Sequence, residues 1–154
     1  MPLLKFSGNR LYPAVEEAKS EVSLDDWRAN RFAHADATAL VIPNDADIDD
    51  IGPDVAGFSA IILEFPAFKD GRAYSQARLL RERFGYSGEI RARGAVLRDQ
   101  LLFMKRCGFD AFELAGSNAD AADEALGEFS FAYQCAADGG DPVWRRRLSR
   151  AAAA

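Results

Sequence analysis

The sequence predicts an α/β fold: a single compact domain with a mostly parallel sheet, either open with three layers or curved like part of a barrel. Three observations carry this. Short apolar runs alternate with amphipathic stretches, making four strand-then-helix units along the chain. The run AIILEF at 60–65 is apolar on both alternating sides at its centre, as a strand buried on both faces requires. Finally, 154 residues fit one domain but fall short of the roughly 250 of a closed (β/α)₈ barrel. The α/β domain is expected over residues 1–134, with 135–154 as a C-terminal extension, helical or frayed.

In chain order, the first dozen residues supply an edge strand, and residues 22–33 a short helix. Ser23 is placed to cap that helix, with Asp25 and Asp26 in its favourable first turn. Residues 39–43 (ALVIP) read as a buried strand ended by Pro43. The acidic stretch 44–54 has Asp/Asn spacing like a calcium loop. Its glycine and terminal carboxylate are misplaced for an EF-hand, so it reads as a solvated connection. After the strand at 60–65, a helix begins near Arg72 or Ala73. Ala73, Ala77, Leu80 and Phe84 form one side of it, and Arg78 and Arg81 point elsewhere. Gly85 stops this helix, and EIRA at 89–92 is the next strand. A second amphipathic helix spans 96–107, with Phe103, Met104 and Cys107 as packing residues, and Gly108 leads into a strand at 109–114. The last core helix falls within 119–134, where Ala125, Phe129 and Ala132 share a side. A short basic helix follows at 144–150.

Composition excludes several classes. No apolar run reaches the roughly 18 residues of a membrane-spanning helix, and the start lacks a signal peptide's apolar region. A cytoplasmic protein with no membrane partner is expected. Cys107 and Cys135 stand far apart, and with His34 as the one histidine they form no zinc pattern, so neither metal nor cofactor is expected. There is no Walker loop and no GxGxxG fingerprint. A net charge of −5 without a reader motif argues against nucleic acid.

Charge is unevenly distributed. Residues 69–108 hold ten Lys/Arg against four Asp/Glu, a local +6, which leaves −11 for the rest of a chain at −5. Such focusing suits an anionic group. In a parallel sheet the loops after the strands gather at the carboxyl edge, where α/β proteins bind ligands. Residues 43–45, 64–72, 93–95 and 116–118 would lie there. Lys69, Asp70, Gly71 and Arg72 are the most concrete candidates. The glycine permits a tight turn, the two cations can meet anionic oxygens near a helix start, and Tyr74 and Ser75 add hydroxyls. The same residues also fit a plain DG turn with a capped helix and surface charges.

Strand periodicity puts Glu89, Arg91 and Arg93 on one side of the EIRA strand, opposite Ile90 and Ala92. This fits a polar concavity, an edge strand or a wet interface, with Glu64 as a partner across the sheet for a buried guanidinium. Gln100 sits where it can reach either the site or a neighbouring loop.

The stretch FKDGRAYSQARLLRERFGYSGEIRARGAVLRDQLLFMKRCGFDAFEL resembles the bacterial family known as domain of unknown function 934. The similarity extends over most of the chain and is strongest over 65–114. Members of that family neighbour genes for assimilatory sulfite or nitrite reductase and phosphoadenylylsulfate reductase. The resemblance therefore implies a role in sulfate assimilation. Lys69, Asp70, Gly71, Arg72, Tyr74, Ser75, Arg78, Arg91, Arg98, Asp99 and Gln100 match the family pattern, whereas Ala95 stands where an acidic residue is common. The family supplies no catalytic set to carry over.

These readings lead to an accessory or anion-handling protein of assimilatory sulfate/sulfite reduction, partnered by sulfite reductase, another sulfur-assimilation enzyme or a small anion. Two alternatives stand beside it. One is a small enzyme acting on an anionic sulfur metabolite, using Arg72 and Arg91 with Asp70 or Glu64. The other is a protein-interaction module docking to a reductase, with Trp144 and the RRRLSR run at 145–150 as a basic docking end.

Overall fold

A computed structural model describes residues 3–7, 10–15, 20–114, 119–127 and 132–152. Seven strands form one sheet, in the order β2-β1-β7-β6-β5-β4-β3. They are β1 (Leu3–Ser7), β2 (Arg10–Ala14), β3 (Glu21–Ser23), β4 (Ala39–Ile42), β5 (Ala60–Phe65), β6 (Glu89–Gly94) and β7 (Ala111–Glu113). β3 to β7 run parallel, while β1 is antiparallel to both β7 and β2. The protein is a mixed α/β domain with a largely parallel, partly open sheet.

The parallel strands step always in one direction, with no reversal of order. Right-handed crossovers then place every connecting helix on the same face. The packing agrees. Leu40, Ile42, Ile61, Leu63, Phe65, Ile90, Ala92 and Phe112 share one core with residues from α1 (Leu24–Ala29), α2 (Arg72–Glu82), α3 (Leu101–Cys107) and α4 (Ala119–Gly127). The opposite face holds a small separate cluster of Ala39, Ala60 and Ile62. This is the wall of a partial barrel rather than a three-layer sandwich.

Several elements form as their residues dictate. Ser23 Oγ accepts the Asp26 N–H at 3.1 Å and caps α1, with Asp25 and Asp26 in its first turn. α2 buries Ala73, Ala77 and Leu80 along one stripe. Gly108, at φ +106°, ends α3 by letting its N–H meet the Met104 and Lys105 carbonyls.

Other expectations are corrected. The N-terminal strand is a pair of antiparallel strands, of which β2 lies at the edge and β1 inside the sheet. Residues 21–23 are a strand pairing with β4, so the first helix is shorter than 22–33. The acidic connection between β4 and β5 ends in a 3₁₀ helix at Gly52–Gly57 that was not expected. The helix expected over 96–107 starts with a 3₁₀ turn at Arg98–Gln100 and becomes α-helical only at Leu101. Within α3 the buried stripe is Leu101, Met104 and Cys107, and Phe103 falls at its margin, 56% exposed with its ring against Tyr74 rather than in the core. The strand expected over 109–114 narrows to three residues, and α4 stops at Gly127 with Ala132 outside it. Phe129 lies outside the described residues. α5 (Val143–Ala152) is the basic terminal helix.

Candidate functional site

Because β3 to β7 are parallel, the loops that follow them converge at one edge. Two glutamines hold those loops together. Gln76, buried on α2, donates from Nε2 to the Pro43 and Ala46 carbonyls, both at 2.9 Å. Gln100 donates to the Phe68 carbonyl at 2.8 Å and accepts the Leu97 N–H at 3.2 Å. Gln100 therefore joins loops, one of its two anticipated roles. Gln76 escaped the sequence reading. Its signal was a polar residue within the Ala73–Ala77–Leu80 stripe, where a buried amide must find backbone partners. Residues 116–118, also expected at this edge, lie outside the described residues.

At the turn into α2, Arg72 donates to Asp70 from Nε at 3.0 Å and from Nη2 at 2.7 Å, and its own N–H also reaches Asp70. The guanidinium hydrogen bonds pull the Asp70 carboxyl down to about 2. Asn44 is close enough to add to this, though its Nδ2 makes no hydrogen bond of good geometry. Since the native value is depressed, the Arg72 pairing is present above the ordinary carboxylate pKa, roughly 3.9. It is lost as pH falls through about 2. A side-chain carbon-13 NMR titration should show Asp70 still ionised at the pH where free aspartate is half protonated. Arg72→Ala should return its midpoint to the ordinary range, and an unmoved midpoint would refute the pairing.

Lys69 and Ser75 are exposed at this turn, and Lys69 has no ionic partner among the described residues. Tyr74 serves packing more than hydrogen bonding. Its ring lies 5.3 Å from Phe65 and 5.0 Å from Phe103, and burial pushes its hydroxyl up to about 12.

The helix-free face carries a layer of ions. β6 is a central strand, not an edge, so its outward charges must be compensated. Arg91, only 1% exposed, pairs with Glu89 at 2.9 Å and with Glu113 at 3.3 Å. Arg93 pairs with Glu113 at 2.8 Å and with Glu21 at 2.7 Å, and Lys5 pairs with Glu89 at 2.6 Å. Glu21 sits three strands from Arg93, about 14 Å in a flat sheet, so long side chains converge over this face from both directions. The carboxylates raise the Arg93 pKa, Glu21 first and Glu113 second, while Arg93 lowers that of Glu21. Glu64 is not the partner of either arginine. It stands beside Arg93 in register, yet makes no hydrogen bond or ion pair among the described residues.

The same accounting explains the basic stretch. Arg72 and Arg78 pair locally with Asp70 and Glu82. Arg83, Arg93 and Arg98 reach outside the stretch to Asp49, Glu21 and Glu124. Arg81 does not point away to solvent. It donates to the carbonyls of Gly108 at 3.0 Å, Tyr86 at 2.6 Å and Gly88 at 2.8 Å, and pairs with Asp110. The local +6 is thus largely compensated by carboxylates, many from the acidic flanks. Three apolar side chains also stay uncovered at the carboxyl edge: Phe68 is 57% exposed, Phe103 56% and Leu97 42%. Gln100 ties the Leu97 N–H to the Phe68 carbonyl, and the Phe103 ring lies 5.0 Å from Tyr74 at the start of α2. These three make up the carboxyl-edge patch, with Lys69 and Arg72 exposed on the same turn as Phe68.

Among the described residues no helix is long and apolar enough to cross a membrane. No group of three or more His, Cys, Asp or Glu side chains there is placed to hold a metal ion. Residues 39–144 match the family model described as bacterial protein of unknown function, DUF934. No curated protein and no solved structure matches the chain.

Proposed function

The chain belongs to the DUF934 family of bacterial proteins, and from that premise we propose an accessory protein of assimilatory sulfite reduction that docks to a reductase through its carboxyl-edge patch. The sulfur assignment rests on the family resemblance. The docking assignment rests on one observation: the arginines of the basic stretch are engaged within the chain, while Phe68, Leu97 and Phe103 are left exposed at the same carboxyl edge. Exposed aromatic side chains gathered in a polar rim mark interaction sites. The patch lies within the residues that match the family.

Free-anion capture draws less support, because a ligand at Arg72 must first displace Asp70, and Arg91 is closed to solvent. The enzyme reading is weakened in the same way. A carboxyl held near 2 is a poor base at neutral pH.

Immobilised protein should capture assimilatory sulfite reductase. Phe103→Glu should weaken that capture by at least about 30-fold, the scale of an interface anchor at roughly 2 kcal/mol, with thermal unfolding unchanged. Calorimetry with sulfite and sulfate should show no saturable heat. Failure to capture the reductase, or equal capture by Phe103→Glu and Phe68→Glu, would reject docking at this patch.

A further inference from the structure

α5 has no use in the site described above. Trp144 and Leu148, four residues apart, lie on one side of it at 40% and 63% exposure. Arg145, Arg146, Arg147 and Arg150 supply four positive charges in the same helix. Arg145 lies 5.3 Å from the Trp144 ring centre and pairs with Asp141 at 3.4 Å, and Arg147 has no ionic partner among the described residues. With those four charges set apart, the remainder of the −5 chain carries −9.

A complementary feature sits at the amino edge of the sheet, opposite the docking patch. Between the 3₁₀ helix Gly52–Gly57 and the turn at 84–88 is a cleft of ≈ 320 Å³, walled by Pro53, Val55, Phe58, Phe84 and Tyr86. Its walls are preformed. The Tyr86 hydroxyl donates to the Phe58 carbonyl at 3.1 Å, and Arg81 fixes the carbonyls of Tyr86 and Gly88. The loop feeding this 3₁₀ helix carries Asp47, Asp49 and Asp50, all exposed; Asp49 pairs with Arg83 at 2.8 Å and Asp50 lies 4.0 Å from Arg28. An aromatic-lined cleft beside aspartates is the counterpart of an exposed tryptophan beside arginines.

We propose that α5 of one copy seats Trp144 and Leu148 in this cleft of a second copy, with its arginines against Asp47 and Asp50, and that the exchange is reciprocal. Charge selects the occupant. A nucleic acid or an anionic membrane would attract four arginines but repel a body of −9, whereas a second copy offers the acidic surface itself. Reciprocity supplies the area. One helix of ten residues is about 15 Å long, and two such contacts related by a twofold axis approach the roughly 1,200 Å² of a specific interface. The carboxyl-edge patch takes no part, so reductase docking and self-association are separable.

Sedimentation equilibrium of the full chain at low ionic strength should show the mass doubling with concentration, and added salt should reverse it. Tryptophan emission should move to the blue with association in the wild type and not in Trp144→Phe. Arg145→Glu with Arg147→Glu, or Asp47→Lys with Asp50→Lys, should each weaken association at least ten-fold while circular dichroism is unchanged. Mixing the two charge-reversed proteins should restore a dimer containing one of each. A monomer at all concentrations would overturn the proposal. Dimers that persist in either variant, or a mixture that stays monomeric, would also overturn it. So would pelleting with phosphatidylglycerol vesicles in place of self-association.

Discussion

Arg91→Ala should lower folding stability by about 3–5 kcal/mol, the cost of leaving buried charge uncompensated. The guanidinium is 1% exposed and bridges Glu89 on its own strand to Glu113 on β7. Removing it leaves Glu113 with Arg93, and Glu89 with Lys5. Each carboxylate thus keeps one cation, which places the loss nearer the lower figure. The ion layer itself is a weak source of stability, since two desolvated charges cancel most of their attraction. The double change Arg91→Met with Glu113→Gln should therefore recover at least half of the loss. Urea unfolding of the three proteins measures both effects. A loss below about 1 kcal/mol in Arg91→Ala would make these pairs no stronger than surface ones. It would also contradict the burial of the layer.

That ion layer shows where sequence reading succeeds and where it stops. The alternation of Glu89, Ile90, Arg91, Ala92 and Arg93 was legible, because a strand's period of two assigns faces from order alone. So was β5, whose apolar residues needed no partner to be recognised. The partners of the arginines were not legible. Glu21 is 72 residues from Arg93, and Asp49 is 34 from Arg83. A local excess of charge looks the same whether it awaits a ligand or closes on a distant carboxylate. Arg81 failed for a related reason. Helical phase gives the direction of Cα–Cβ, but a long side chain can turn back to the carbonyls of Tyr86, Gly88 and Gly108. Phe103 was misplaced because it stands at the margin of the stripe formed by Leu101, Met104 and Cys107, and β3 was hidden because three residues are too few to show a period. The exposed patch was invisible in consequence. It depends on that margin and on Gln100 reaching the Phe68 carbonyl from 32 residues away.

Gly94→Ala should cost roughly 2–5 kcal/mol through backbone strain and overpacking together, and should also abolish reductase capture. Gly94 ends β6 at φ +110°, where an L side chain is strained. A Cβ there would press into the Phe65 carbonyl, its register partner on β5, which is backbone and cannot swing aside. Relief requires moving the chain after Gly94. That movement breaks the Ala95 N–H bond to the Phe65 carbonyl at 2.7 Å and carries Leu97 and Gln100 away from Phe68. One methyl group would thus reach the docking patch through the backbone, without touching it. Gly57→Ala is the control, since a Cβ there meets nothing within 4 Å, and its effect should stay within about 0.5 kcal/mol. Capture separates the causes. Phe103→Glu should lose the reductase at full stability, whereas Gly94→Ala should lose both. A stable Gly94→Ala protein that still binds would mean that the β5–β6 register does not position the patch, and the link from strand end to docking surface would fail.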